Sequence, residues 1–158
     1  WLWSGQIQIQ NSRNTIVRNN TVVVGEGYAN GICIIQQNRN CAGCLPGHSG
    51  ASPMPAVNNT VTNNVMVFDD CHGTNGEVAD NFIADIVASN NTFDHNTYVH
   101  RVGKAAAAPL TQFSWCANNS TGAPVCEGYT LEQFQTVAKQ ETHGTVIYGS
   151  GPCPPSAN

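Results

Sequence analysis

The sequence predicts an all-β solenoid, and three observations carry that prediction. An asparagine-rich unit recurs at 14–22, 58–66 and 90–98. A short apolar, strand-like run stands before each unit. Two excursions rich in loop residues break the spacing between them, as insertions into a stacked repeat do.

Within each unit an apolar residue follows the first asparagine by three positions. A second asparagine follows by six, and a second apolar residue by eight. Asn14, Asn58 and Asn90 correspond, as do Val17, Val61 and Phe93. Asn20, Asn64 and Asn96 correspond, as do Val22, Met66 and Tyr98. Asparagine is a poor strand residue. It tolerates left-handed backbone angles and bonds its neighbours, which suits a bend. Stacked bends let one asparagine amide bond the next in a ladder. The apolar positions are expected to stack inward, together with Asn14, Asn58 and Asn90. Asn19 is expected to point outward.

The preceding runs are 7–11, with Ile7 and Ile9 alternating, then 31–35, then 82–87. All three are expected as strands, which makes three short strands per repeat. The excursions are 36–57, with Cys41 and Cys44, and 69–80, with Cys71 and His72. The tail is different. Thr130 and Gln133 form a capping box, and Leu131, Phe134 and Val137 or Ala138 make an apolar helical face. A helix is expected over about 130–140, packed on the end of the repeats.

These residues resemble right-handed parallel β-helix repeat proteins of the pectate-lyase-like superfamily, over about residues 5–100. The stretches Phe113-Ser114-Trp115, 129–135 and 140–144 resemble the segment after the last coil in many secreted members. The resemblance implies a right-handed parallel β-helix of about three coils over 1–104. A C-terminal capping segment with one short helix would fill 105–158.

Composition narrows the partners. A net charge of −4 leaves no basic footprint for nucleic acid. No apolar run is long enough for a membrane-spanning helix. Seven cysteines among few lysines point to a secreted, disulfide-bearing chain. Cys116 with Cys126 would close a short polar loop. The odd cysteine is free or bonded to another chain. The opening Trp1-Leu2-Trp3 reads as the start of a mature chain or a fragment. Earlier coils or a neighbouring subunit are expected to cover Ile7 and Ile9. Sequons stand at Asn19, Asn58, Asn90, Asn118 and Asn119, and glycans are expected at Asn19, Asn118 and Asn119.

Several groups invite chemistry. Asp69 and Asp70, with His72 and Arg101, resemble the acid and base aspartates of pectin-cleaving β-helix hydrolases. The alternative is a loop-opening turn, which aspartate favours. The Asn-Thr-Asp motif of those enzymes is absent, and 101–104 only loosely echoes their Arg-Ile-Lys. Arg18, Arg101 and Lys104 would suit a lyase, whose base acts beside a uronate carboxylate that calcium neutralises. No acidic cluster has clear calcium spacing, so no cofactor is expected outside that lyase reading. Asp94, His95, His100 and Lys104 are candidates to bind sugar, and Asp94-His95 and Val99-His100-Arg101 are equally candidates to bind metal. His143 reads as structural. Cys41 and Cys44 have the spacing of a zinc or haem motif without the following ligands, so disulfides are simpler and no metal site is assigned.

The resemblance therefore implies a secreted carbohydrate-active or carbohydrate-binding protein, of the polysaccharide lyase or hydrolase kind, as part of a longer solenoid. The alternative is a structural β-solenoid subunit of an extracellular fibre or surface appendage.

Overall fold

The computed structural model describes residues 5–25, 30–37, 55–69, 73–80, 83–102 and 112–151. The described residues are all-β with two short helices. Its first pass gives β1 (Gly5–Gln10), β2 (Ile16–Arg18) and β3 (Thr21–Val24). The second gives β4 (Asn30–Gln36), β5 (Thr60–Thr62) and β6 (Val65–Phe68). The third gives β7 (Asn75–Ala79), α1 (Ile83–Val87), β8 (Thr92–Asp94) and β9 (Thr97–Val102). The last gives β10 (Phe113–Asn118), β11 (Pro124–Tyr129), α2 (Leu131–Thr136) and β12 (Thr145–Gly151).

Each of the first three passes adds one strand to each sheet; the last adds β10 and β11 to the first sheet and β12 to the second. The orders are β1-β4-β7-β10-β11, then β12-β9-β6-β3, then β2-β5-β8. Pairing is parallel throughout, except for the antiparallel hairpin β10–β11. Strands formed after residue 112 thus join sheets begun by the first pass.

The register explains the repeat. Val17, Val61 and Phe93 are in register, and Val61 and Phe93 are fully buried. Val22, Met66, Tyr98 and Val146 make a second inward column. Val24, Phe68, His100 and Tyr148 make a third. In that column the His100 ring stacks on Phe68 at 4.8 Å and on Tyr148 at 5.4 Å.

The asparagines work in pairs. Asn19, Asn63 and His95 each take a left-handed backbone angle, φ 60°, 55° and 60°. The next residue then turns inward. Asn64 Oδ1 accepts from the Asn20 backbone and amide, both at 3.0 Å. Asn96 Oδ1 accepts from the Asn64 backbone and amide, both at 2.9 Å. At the other bend Asn14, Asn58 and Asn90 all have φ 56°. There Asn59 Oδ1 accepts from Thr15 N, and Asn91 Oδ1 accepts from Asn59 N and Nδ2. Asn58 and Asn90 are therefore exposed rather than inward, while Asn59 and Asn91 are buried. The ladder of Asn20, Asn64 and Asn96 forms as expected, whereas at this second bend the inward asparagine stands one residue after the expected one, because the left-handed residue and the ladder residue are neighbours.

The strand expected over 82–87 is the helix α1. Ile83, Ile86 and Val87 fall at helical spacing, and buried Ile86 packs with Ala79 and Cys116. The strand of this pass is β7, inside the stretch read as an excursion. Asn75, Gly76 and Glu77 concealed it, being weak strand formers. Gly31 and Gly76 make its packing feasible. A Cβ on Gly31 would lie 2.1 Å from Asn75 Oδ1. One on Gly76, at φ 113°, would lie 2.0 Å from the Ser114 carbonyl oxygen.

The capping box at α2 forms as read: Gln133 N donates to Thr130 Oγ1, and Thr130 N to Gln133 Oε1. The helix ends at Thr136 and buries Phe134, which stacks on Phe113 at 4.5 Å. Val137, a candidate for its apolar face, is exposed. Cys116 and Cys126 are disulfide-bonded across β10–β11, and Cys33 is a buried free thiol. Among the described residues no helix is long and apolar enough to cross a membrane.

Candidate functional site

At the C-terminal end of β8, Asp94, His95 and His143 come together on the surface. The repeat itself builds this cluster. Asp94 is in register with Thr62 and Arg18 on the outer face of β2-β5-β8. His95 fills the left-handed position held by Asn19 and Asn63 in earlier passes. That backbone angle lets two adjacent side chains serve one site, where a regular strand would send them to opposite faces. His143 precedes β12 by two residues, as His95 precedes β9, and Thr145 pairs with Thr97. The two imidazoles are therefore successive rungs, stacked with centroids 4.3 Å apart.

Asp94 Oδ2 lies 2.9 Å from His143 Nδ1 and 3.1 Å from His95 Nδ1. Its Oδ1 accepts from the His143 backbone N–H at 2.9 Å. Burial pushes the Asp94 carboxyl up. The hydrogen bonds from the His143 side chain and backbone and from the His95 backbone, with the charge of His95, outweigh it and hold the pKa below the ordinary value. One donor atom from each residue lies within 4.8 Å of the others, so the three could hold a metal ion.

The remaining candidates lie elsewhere. Arg101 Nη1 pairs with Asp69 Oδ1 at 2.5 Å, between β9 and the residue after β6. An exposed pair of this kind contributes at most about 1 kcal/mol. It also occupies the carboxylate proposed as acid or base. Asp70, His72 and Lys104 lie outside the described residues. His100 is buried in the core with Gln112 Nε2 3.0 Å from its Nε2, so it is no surface sugar ligand. The reason is register: His100 shares the inward column of Phe68.

Two buried carboxyls stand at the ends of the asparagine ladders. Glu141 Oε1 accepts from Asn96 Nδ2 at 2.5 Å and Tyr98 OH at 2.6 Å, and Oε2 accepts from Asn96 N at 3.1 Å. Burial raises its pKa despite these bonds. Glu77 Oε2 accepts from Asn91 Nδ2 at 3.0 Å. Burial pushes Glu77 up to about 8, against the Asn91 and Cys116 hydrogen bonds. Both are structural: each gives an acceptor to an amide that has no further asparagine to bond.

His143, read from the sequence as structural, is the third member of this cluster. Its signal is the departure from the repeat at His95, where asparagine is otherwise the rule, and the equivalent histidine one pass later. The fold and site thus define an all-β protein of parallel sheets with an exposed Asp-His-His cluster. No family model, curated protein or solved structure matches this chain.

Proposed function

We propose that the chain is a secreted right-handed parallel β-helix that binds or processes an acidic polysaccharide on the outer face of β2-β5-β8. The stacking of successive strands in three parallel sheets, with asparagine ladders at the bends, supports the solenoid. The observation that carries the function is the outward row Arg18, Thr62, Asp94, continued by His95 and His143. Two strand spacings, roughly 10 Å, separate Arg18 from Asp94 along this row. That suits a disaccharide length of glycan. Arg18 would pair with a uronate carboxylate, and Thr62 would bond a hydroxyl. An imidazole of His95 or His143 would act as the proton-transfer group.

The test is binding and turnover on a panel of neutral and uronate polysaccharides, read by calorimetry and by release of unsaturated or reducing ends. Uronate-selective binding that weakens at least tenfold in both Arg18→Ala and Asp94→Ala is expected. Equal affinity for neutral and acidic chains, or no effect of either variant, would sink the reading.

A second reading rests on a different face. Val23, Val67, Val99 and Ile147 form an outward aliphatic row across β3-β6-β9-β12, with Val23 and Ile147 each 52% exposed. Such a row would suit lateral packing in an extracellular fibre. In that reading a neighbouring subunit would also pack on the side of the sheets that β1, β2 and β3 form. Sedimentation of the purified chain separates the two: concentration-dependent assembly favours the fibre.

A further inference from the structure

We propose that Asp94, His95 and His143 form a surface site for a divalent transition metal, Zn²⁺ or Cu²⁺, ligated by two imidazole nitrogens and one carboxylate oxygen. The proposal goes beyond the polysaccharide reading and does not depend on it, because the metal is bound with no glycan present.

Spacing is the first argument. Protein donors sit about 2.0–2.2 Å from zinc, so donors at neighbouring tetrahedral positions lie about 3.3–3.6 Å apart, a few tenths of an ångström wider than the contacts found here. Asp94 Oδ2 is 2.9 Å from His143 Nδ1 and 3.1 Å from His95 Nδ1. Small ring rotations can then seat an ion between the three atoms.

Orientation is the second. The His143 backbone N–H pins Asp94 Oδ1 at 2.9 Å, which leaves Oδ2 facing the rings. Such outer bonds hold a ligating carboxylate in place. The left-handed angle of His95 and the stacking of two successive passes set both rings on one side. Three donors come from a strand end, a bend and the next pass, so the site is built by the fold and not by a flexible segment.

Donor type is the third. Calcium takes six to eight oxygen ligands, whereas this cluster offers two nitrogens. Imidazole suits zinc, copper and nickel. Side-chain exposures of 52% for His95 and 62% for His143 leave the outer coordination positions open to water or an anionic ligand.

The experiment is titration of untagged chain with ZnCl₂ by calorimetry at pH 7.5, with Cu²⁺ electron paramagnetic resonance on the same protein. One site per chain is expected. Affinity should fall at least tenfold in each of Asp94→Asn, His95→Asn and His143→Asn, and stay unchanged in a His48→Ala, His72→Ala double variant. The copper spectrum should show two nitrogen donors. Zinc binding that persists in all three single variants would assign the metal to other groups, such as cysteines, and overturn the proposal. So would the absence of saturable binding, or a copper spectrum of the wild-type chain with fewer than two nitrogens.

Discussion

Asn96 gives both its backbone N–H and its side-chain amide to the carboxylate of Glu141. In the two earlier passes the same donors go to another asparagine. Asparagine can pass a ladder on, because it accepts and donates. A carboxylate only accepts, so Glu141 ends it. Tyr98 OH adds a third donor to the same group.

Glu141→Ala should therefore be among the most damaging single changes. It leaves Asn96 N–H and Tyr98 OH without that acceptor and takes from Asn96 Nδ2 one of its two, the other being Val61 O, at a cost of about 3–5 kcal/mol. Glu141→Gln keeps one acceptor and should cost about half as much. Urea unfolding of both variants measures this. Equal midpoints for Glu141→Ala and the wild type would remove the ladder from the account of stability.

Stability should fall as pH rises from mildly acid to mildly alkaline. Glu77 titrates at about 8 when folded, against an ordinary value of 4.5. Its folded-state pKa is the higher one, so its contribution is full below about 4.5 and is lost as pH rises through about 8. The slope between those limits approaches about 1.4 kcal/mol per pH unit. Glu141 shifts in the same direction and adds to it. Glu77→Gln mimics the protonated form. Its melting temperature should match the wild type near pH 5 and exceed it at pH 8. A wild-type slope retained in Glu77→Gln would place the titration on another group.

Gly76→Ala should cost about 3 kcal/mol or more, from overpacking and from backbone strain together. The added Cβ meets a backbone oxygen of β10, which cannot move without breaking the pairing of β7 with β10. Gly25→Ala is the control. Nothing lies within 4 Å of its Cβ, so its effect should stay within about 0.5 kcal/mol. Thermal melts of the two variants check the contrast.

Glycans added in a glycosylating host should occupy Asn19 and Asn118 before Asn58 and Asn90. All four are exposed. Asn90 Nδ2, however, donates to Asn58 Oδ1 at 3.2 Å, on adjacent rungs too close for two glycans. Asn119 should be poorly modified, because its Oδ1 accepts from Thr121 N, Thr121 Oγ1 and Ala123 N. Glycopeptide mapping decides, and occupancy led by Asn58 or Asn119 would contradict this reading of the bends.

The sequence by itself determined the repeat, the inward valines, the ladder of Asn20, Asn64 and Asn96 and the capping box; it offered Cys116 with Cys126 as one pairing, which the β10–β11 hairpin makes. These are local in origin or recur at fixed spacing, so one chain carries several copies of the same signal. Only the tertiary structure decided the rest. It turned 83–87 into a helix, because Ile86 finds its burial against Ala79 and Cys116. It made a strand of Asn75–Ala79, where neighbours supply the pairing that propensity withholds. It sent His100 inward and drew His143 onto His95 and Asp94. A contact between positions 48 and 49 residues apart depends on how passes stack, and stacking is fixed by pairing across the whole sheet rather than by any local run of residues.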